Sequence, residues 1–100
     1  MSERTFLNGE ERRTMSCGEN VDGTVYVRQV SEGDLTQCFF DCDRYVVTVT
    51  FRPSERYGIE DVEDDFARRG DDCFITDYED TLNLWGVKYT ETHECVMLAA

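Results

Sequence analysis

Histidine and proline each occur once in this 100-residue chain, and basic residues are few, ten against twenty-two acidic ones. With His93 the sole imidazole, any cysteine–histidine pair would have to use it, and no local nucleophile signature surrounds any of the cysteines. The G-x-S-x-G turn, the phosphate-binding glycine loop and the dinucleotide fingerprint are all missing. Carboxylates abound, but a glycosidase pair also needs a sugar cleft, and so small a domain seldom builds a deep pocket. The reading is therefore a protein that is not an enzyme. There is no run of about eighteen apolar residues to cross a membrane. Residues 1–13 lack the apolar core of a signal peptide, and no Asn-x-Ser/Thr sequon occurs. A cytoplasmic protein is expected.

The shortage of cations sets the net charge at −12. Such a surface repels DNA, RNA and anionic lipid and is drawn to basic surfaces. Arg4, Arg12 and Arg13 form a small basic cluster, but the domain as a whole lacks the footprint that phosphate contacts require. Neither direct nucleic-acid binding nor membrane binding is expected. An apolar share of 40% and an aromatic share of 12% exclude wholesale disorder. The length suits one domain, residues 1–100, with a single modest core.

Cysteine is the residue in excess: Cys17, Cys38, Cys42, Cys73 and Cys95. The number is odd, and in a reducing compartment free thiols are expected rather than a disulfide framework. Cys38 and Cys42 form a C-x3-C pair, and His93 and Cys95 an H-x-C pair, so a zinc-stabilised small domain is one alternative. Phe39 and Phe40 between the first pair read as core, however, and cysteine is often buried in its own right. No metal and no cofactor is expected. Residues 18–23 echo a calcium loop through Asn20, Asp22 and Gly23, but Gly18 and Gln29 stand where its first and closing ligands belong. That segment is a turn.

Along the chain, alternation and turn residues predict strands at 5–7, 10–17, 24–30, 35–40, 44–52, 72–78, 82–90 and 94–98. Asn8-Gly9 and Asp22-Gly23 are turn signals. In the strongest strand Tyr45, Val47, Val49 and Phe51 suit a core face, while Val46, Thr48, Thr50 and Arg52 suit a solvated one. Pro53 ends it, and Gly86 suggests a bulge. One helix is expected over 58–70, with Ile59, Val62 and Phe66 as its apolar stripe and Arg68 and Arg69 in its last turn. These elements predict an α+β domain of two layers: an antiparallel sheet of about five to six strands with one amphipathic helix packed on one face.

The acidic run is the feature left to explain. Residues 55–80 hold eleven carboxylates against Arg56, Arg68 and Arg69. Such a run can be a solvated, solubilising face. It can also dock on a basic groove, since helical neighbours lie about 5–6 Å apart at Cβ, on the scale of successive phosphates. The candidate partner-binding residues are Glu60, Asp61, Asp64, Asp65, Asp71, Asp72, Asp77, Glu79 and Asp80. Glu60, Asp61, Asp64 and Asp65 are expected to lie away from the stripe. Tyr57, Tyr78, Trp85 and Tyr89 are candidate anchors beside them.

In size, single-domain build and acidic surface, the chain resembles the small acidic proteins that bacteriophages use against host defence, the DNA mimics and anti-CRISPR proteins. The resemblance carries no matching motif. It implies a non-enzymatic inhibitor in the host bacterial cytoplasm that occludes the basic nucleic-acid-binding groove of a nuclease or CRISPR effector complex. The runner-up is an acidic protein-interaction module of a bacterial complex. Homodimerisation is left open.

Overall fold

The computed structural model describes residues 2–8, 11–69 and 73–97. Five strands, β1 (Ser2–Asn8), β2 (Glu11–Glu19), β3 (Val25–Glu32), β4 (Arg44–Phe51) and β5 (Tyr89–Val96), form one antiparallel sheet in the order β1-β2-β3-β4-β5. The first three follow one another as hairpins, the expected consequence of short polar connections. In the β2–β3 turn Gly23 takes φ 87°. The Asp22 carboxylate accepts the Thr24 hydroxyl at 2.6 Å and the Thr24 amide at 3.0 Å. These bonds, the hydroxyl's first, hold the Asp22 carboxyl below its ordinary range. The calcium-like sequence is thus a self-contained turn. Asn8 pairs with Glu11 across the first hairpin, whose Gly9 lies outside the described residues.

Helix α1 (Asp34–Phe40) joins β3 to β4, and α2 (Ile59–Arg69) and α3 (Ile75–Leu84) join β4 to β5. Strand pleat divides the sheet by parity. Met15, Cys17, Val25, Val27, Val47, Val49 and Phe51 point to one face and are buried there against Val62, Phe66, Ile75, Tyr78 and Leu82 of the helices. The register reads Val27↔Val49 and Cys17↔Val27 across the centre. The expected core face of β4 is confirmed. No described helix covers the opposite face, which is rich in hydroxyls, with Thr14, Ser16, Thr48, Thr50, Thr90 and Thr92 half-buried or exposed.

The architecture is α+β as expected, and among the described residues it has five strands and three helices rather than one. Residues 35–40, expected as a strand, form α1. It starts where Glu11 of β2 accepts the Leu35 amide at 3.0 Å and the Thr36 hydroxyl at 2.6 Å. Residues 75–84, expected as the end of one strand, a turn and the start of another, form α3. There Gln29 accepts the Ile75 amide at 2.9 Å and Asp77 accepts the Phe74 amide at 3.1 Å, satisfying groups that a helix start leaves open. Gly86 is not a bulge. It takes φ 69° just past the α3 terminus, and its amide returns to the Asn83 carbonyl, the left-handed ending that glycine accepts without strain.

The thiols also depart from expectation. Cys42 and Cys95 are joined in a disulfide with Cα atoms 5.6 Å apart, linking the segment after α1 to the edge strand β5. Cys17 and Cys73 are buried and Cys38 exposed, none of them in a disulfide. Cys42 and Cys95 are far apart in sequence and converge only because β4 and β5 pair, which places Cys95 opposite Tyr45. The proposed zinc set of Cys38, Cys42, His93 and Cys95 is therefore two thiolates short. The expectation of free thiols at all five cysteines, which rested on a reducing compartment, is thus overturned at Cys42 and Cys95. Among the described residues no helix is long and apolar enough to cross a membrane.

Candidate partner-binding surface

Helix α2 begins at Gly58, whose amide donates to the Asp61 carboxylate at 2.8 Å. Glu60 and Asp61 sit at its positive end, Arg68 and Arg69 at its negative end. Val62 and Phe66 are buried and Ile59 half-buried, as the stripe requires. The Arg4 guanidinium of β1 lies 5.6 Å from the Phe66 ring centroid. On the outer side Glu60, Asp61 and Asp64 are exposed.

Asp65 is not among them. At 100° per residue it lies about 90° from the centre of the stripe, whereas the other three lie about 120° or more away. Its side is the helix shoulder that meets the 52–58 loop. It is 9% exposed, accepts the Tyr57 hydroxyl at 2.9 Å and pairs with Arg68. Burial, and then this bond, push the Tyr57 hydroxyl pKa far up, so the phenol stays a donor. The expectation that Asp65 belongs to a docking face is corrected: it is an internal acceptor.

The remaining carboxylates disperse. Asp77 ends α3's open amides and lies 3.7 Å from Arg69. Glu79 turns toward β5, where it meets Tyr89 and Glu91. Asp80 is exposed on α3. Asp71 and Asp72 lie outside the described residues. Asp61 and Asp77 show why the acidic run is less dense on the surface than in sequence: each closes a helix start.

Of the expected anchors, Tyr57 and Tyr78 are core residues at 3% and 1% exposure, and Tyr89 is half-buried. Trp85 is 46% exposed. The end of α3 carries it to α2, where a groove of about 520 Å³ holds Arg56, Asp61, Asp64, Arg68 and Trp85. The groove mixes signs, with Arg56 and Arg68 set among Asp61 and Asp64. No sequence spacing could link Trp85 to Asp64, because α3 comes between them. The contiguous acidic array is thus Glu60, Asp61 and Asp64, with an indole beside it.

Comparison with protein-family models, with curated proteins and with solved structures found no match to this chain.

Proposed function

We propose that the chain is a non-enzymatic acidic binding protein that occludes a basic nucleic-acid-binding surface, in the manner of phage counter-defence inhibitors such as the anti-CRISPR proteins. One observation carries the reading: Glu60, Asp61 and Asp64 stand exposed on one rigid helix beside a half-exposed Trp85. Charge arrays steer encounter and select partners, while tight binding draws on a buried aromatic anchor. Here Asp61 and Asp64 line one groove with Trp85, and Glu60 is exposed on the same helix. Arg56 and Arg68 would pair with acidic residues at the rim of the partner's groove.

The partner class is a nuclease or CRISPR effector complex of the host bacterium, engaged in its cytoplasm. In that compartment the Cys42–Cys95 bond faces a reducing thiol pool, so binding is to be measured with and without reductant. The test is capture from a bacterial lysate on immobilised wild type and on Glu60→Lys/Asp64→Lys. A nucleic-acid-binding protein retained by wild type alone, and released by added double-stranded DNA, supports the reading. Retention by both forms, or indifference to DNA, overturns it.

A further inference from the structure

On the other side of α3, away from the Trp85 groove, strands β3–β5 and the end of α1 enclose a pocket of about 260 Å³. One wall is apolar, made of Phe40, Tyr45, Val47 and Ile75. Phe40 stacks on Tyr45 with ring centroids 4.1 Å apart and planes 3° from parallel. The Cys42–Cys95 bond, two residues beyond Phe40, ties this end of α1 to β5 and holds the stack in place.

The other wall is a chain of polar contacts. The Tyr45 hydroxyl and His93 Nδ1 are 2.7 Å apart, and His93 Nε2 meets the Glu91 carboxylate. Glu91 and Glu79 share a hydrogen bond between β5 and α3, and the Tyr89 hydroxyl donates to Glu79 at 3.4 Å. Two carboxyl groups in contact cannot both be ionised cheaply. Burial, and then the bond to Glu91, push Glu79 up to about 7, while the bond to Glu79 holds Glu91 low. Glu79 from α3, Glu91, His93 and Tyr89 from β5, and Tyr45 from β4 are the titratable groups that face the site. β3 contributes Gln29 and Ser31, and α1 contributes Phe40, none of them charged. No lysine or arginine is among the described residues that line it.

This arrangement selects among chemistries. Both imidazole nitrogens are engaged, so His93 has no free lone pair for a metal, and no metal-holding group of three such side chains occurs among the described residues. A carboxylate pair whose one basic neighbour is His93, with no lysine or arginine beside it among the described lining residues, faces a stacked aromatic wall and is complementary to a positive charge on an apolar body. We infer that this pocket binds a small organic cation, a primary ammonium group carried on an aromatic or short aliphatic body. The ammonium donates to Glu79 and Glu91 in place of the proton they share, and the body lies on Phe40, Tyr45 and Val47. Binding releases the Glu79 proton, so affinity rises with pH through neutrality.

The experiment is an NMR titration of the intact, disulfide-bonded chain with benzylammonium chloride, with benzyl alcohol and sodium benzoate as probes of the same body. The expected result is a shift of His93, Tyr45, Val47 and Ile75 resonances, and tenfold or greater preference for benzylammonium over benzyl alcohol. Benzoate should leave those resonances unmoved. Affinity should rise severalfold between mildly acidic and mildly basic buffer, and Glu79→Gln should lose that rise while keeping its fold, because Glu79 is half-exposed. Shifts confined to Glu60, Asp61 and Asp64 would mean general attraction to an acidic helix and would overturn the assignment. Equal affinity for the alcohol, or no dependence on pH, would do the same, and neither result bears on the Trp85 groove.

Discussion

Asp65 and Asp64 are neighbours in sequence with opposite roles. The Asp65 carboxylate is the acceptor for the buried Tyr57 hydroxyl, so Asp65→Ala leaves that donor without a partner in a dry place. A loss of about 1–3 kcal/mol is expected in urea denaturation. Asp64→Ala, on the exposed side, should stay within about 0.5 kcal/mol of wild type. Glu79 offers a test of sign. Its carboxyl lies near 7 when folded against an ordinary 4.5. Its stabilising contribution is therefore complete below about 4.5 and lost as pH rises through about 7. In Glu79→Gln the loss disappears. The variant should melt above wild type at about pH 8, where wild type sets two carboxylates together, and the difference should shrink toward about pH 5. A constant difference across that range would show that Glu79 and Glu91 do not share a proton.

At the scale of elements, the register of β4 is tested by a pair of adjacent changes. Val49 is fully buried, so Val49→Asp places an unpaired charge in the core and should abolish the folding transition. Thr48 points to the opposite face of the sheet beside Arg28, whose Nε donates to it at 3.1 Å, and Thr48→Asp should keep the transition. Strands β1 to β4 and helix α2 were legible from a period and its boundary signals, such as the alternation ended by Pro53 and the stripe ended by Arg68 and Arg69. Strand β5 was instead expected as two strands, 82–90 and 94–98, with a turn at Glu91 and Thr92 that in fact lies inside one strand. Helix α3 was legible in principle. Ile75, Tyr78 and Leu82 repeat the i, i+3, i+7 spacing of Ile59, Val62 and Phe66. The β-rich residues Phe74 and Ile75, and Leu82 to Trp85, drew the reading to strands, and the fixing contact, Gln29 to Ile75, is long-range. Helix α1 buries only Thr36, so it offers no stripe at all; its start depends on Glu11 from another strand. The same distance in sequence hid the disulfide. Cys42 and Cys95 enclose 53 residues of separation, and β5 side chains are mostly exposed, so this bond helps fasten an edge strand that packing alone secures weakly. Denatured, unreduced protein should titrate three thiols rather than five. Cys42→Ser should cost roughly 4 kcal/mol on a loop-closure account, with amide protection lost first in β5.

At the scale of the whole molecule the question is whether location or total charge governs partner binding. The molecule carries −12 over principal extents of 45 × 25 × 23 Å, so distant carboxylates are separated by more than a screening length of about 10 Å at 0.1 M salt. Exposed charges should then act locally. Glu60 and Asp64 are the clean positions on α2, because Asp61 closes the helix start and Asp65 is internal. Glu3 and Glu94 are exposed on the opposite face of the sheet, away from the described helices. Each reversal changes the charge by two, so Glu60→Lys/Asp64→Lys and Glu3→Lys/Glu94→Lys arrive at the same net charge. For a partner captured through a basic groove, the α2 pair should abolish binding and the sheet pair should leave affinity within a few-fold. Glu60→Gln/Asp64→Asn should weaken it less than reversal, since shape and hydrogen bonds remain. Trp85→Ala should raise the dissociation rate with little change in salt dependence, whereas wild-type affinity should fall steeply as salt rises. Equal loss from both reversed pairs would show that net charge alone attracts the partner, and α2 would then be a solvated face.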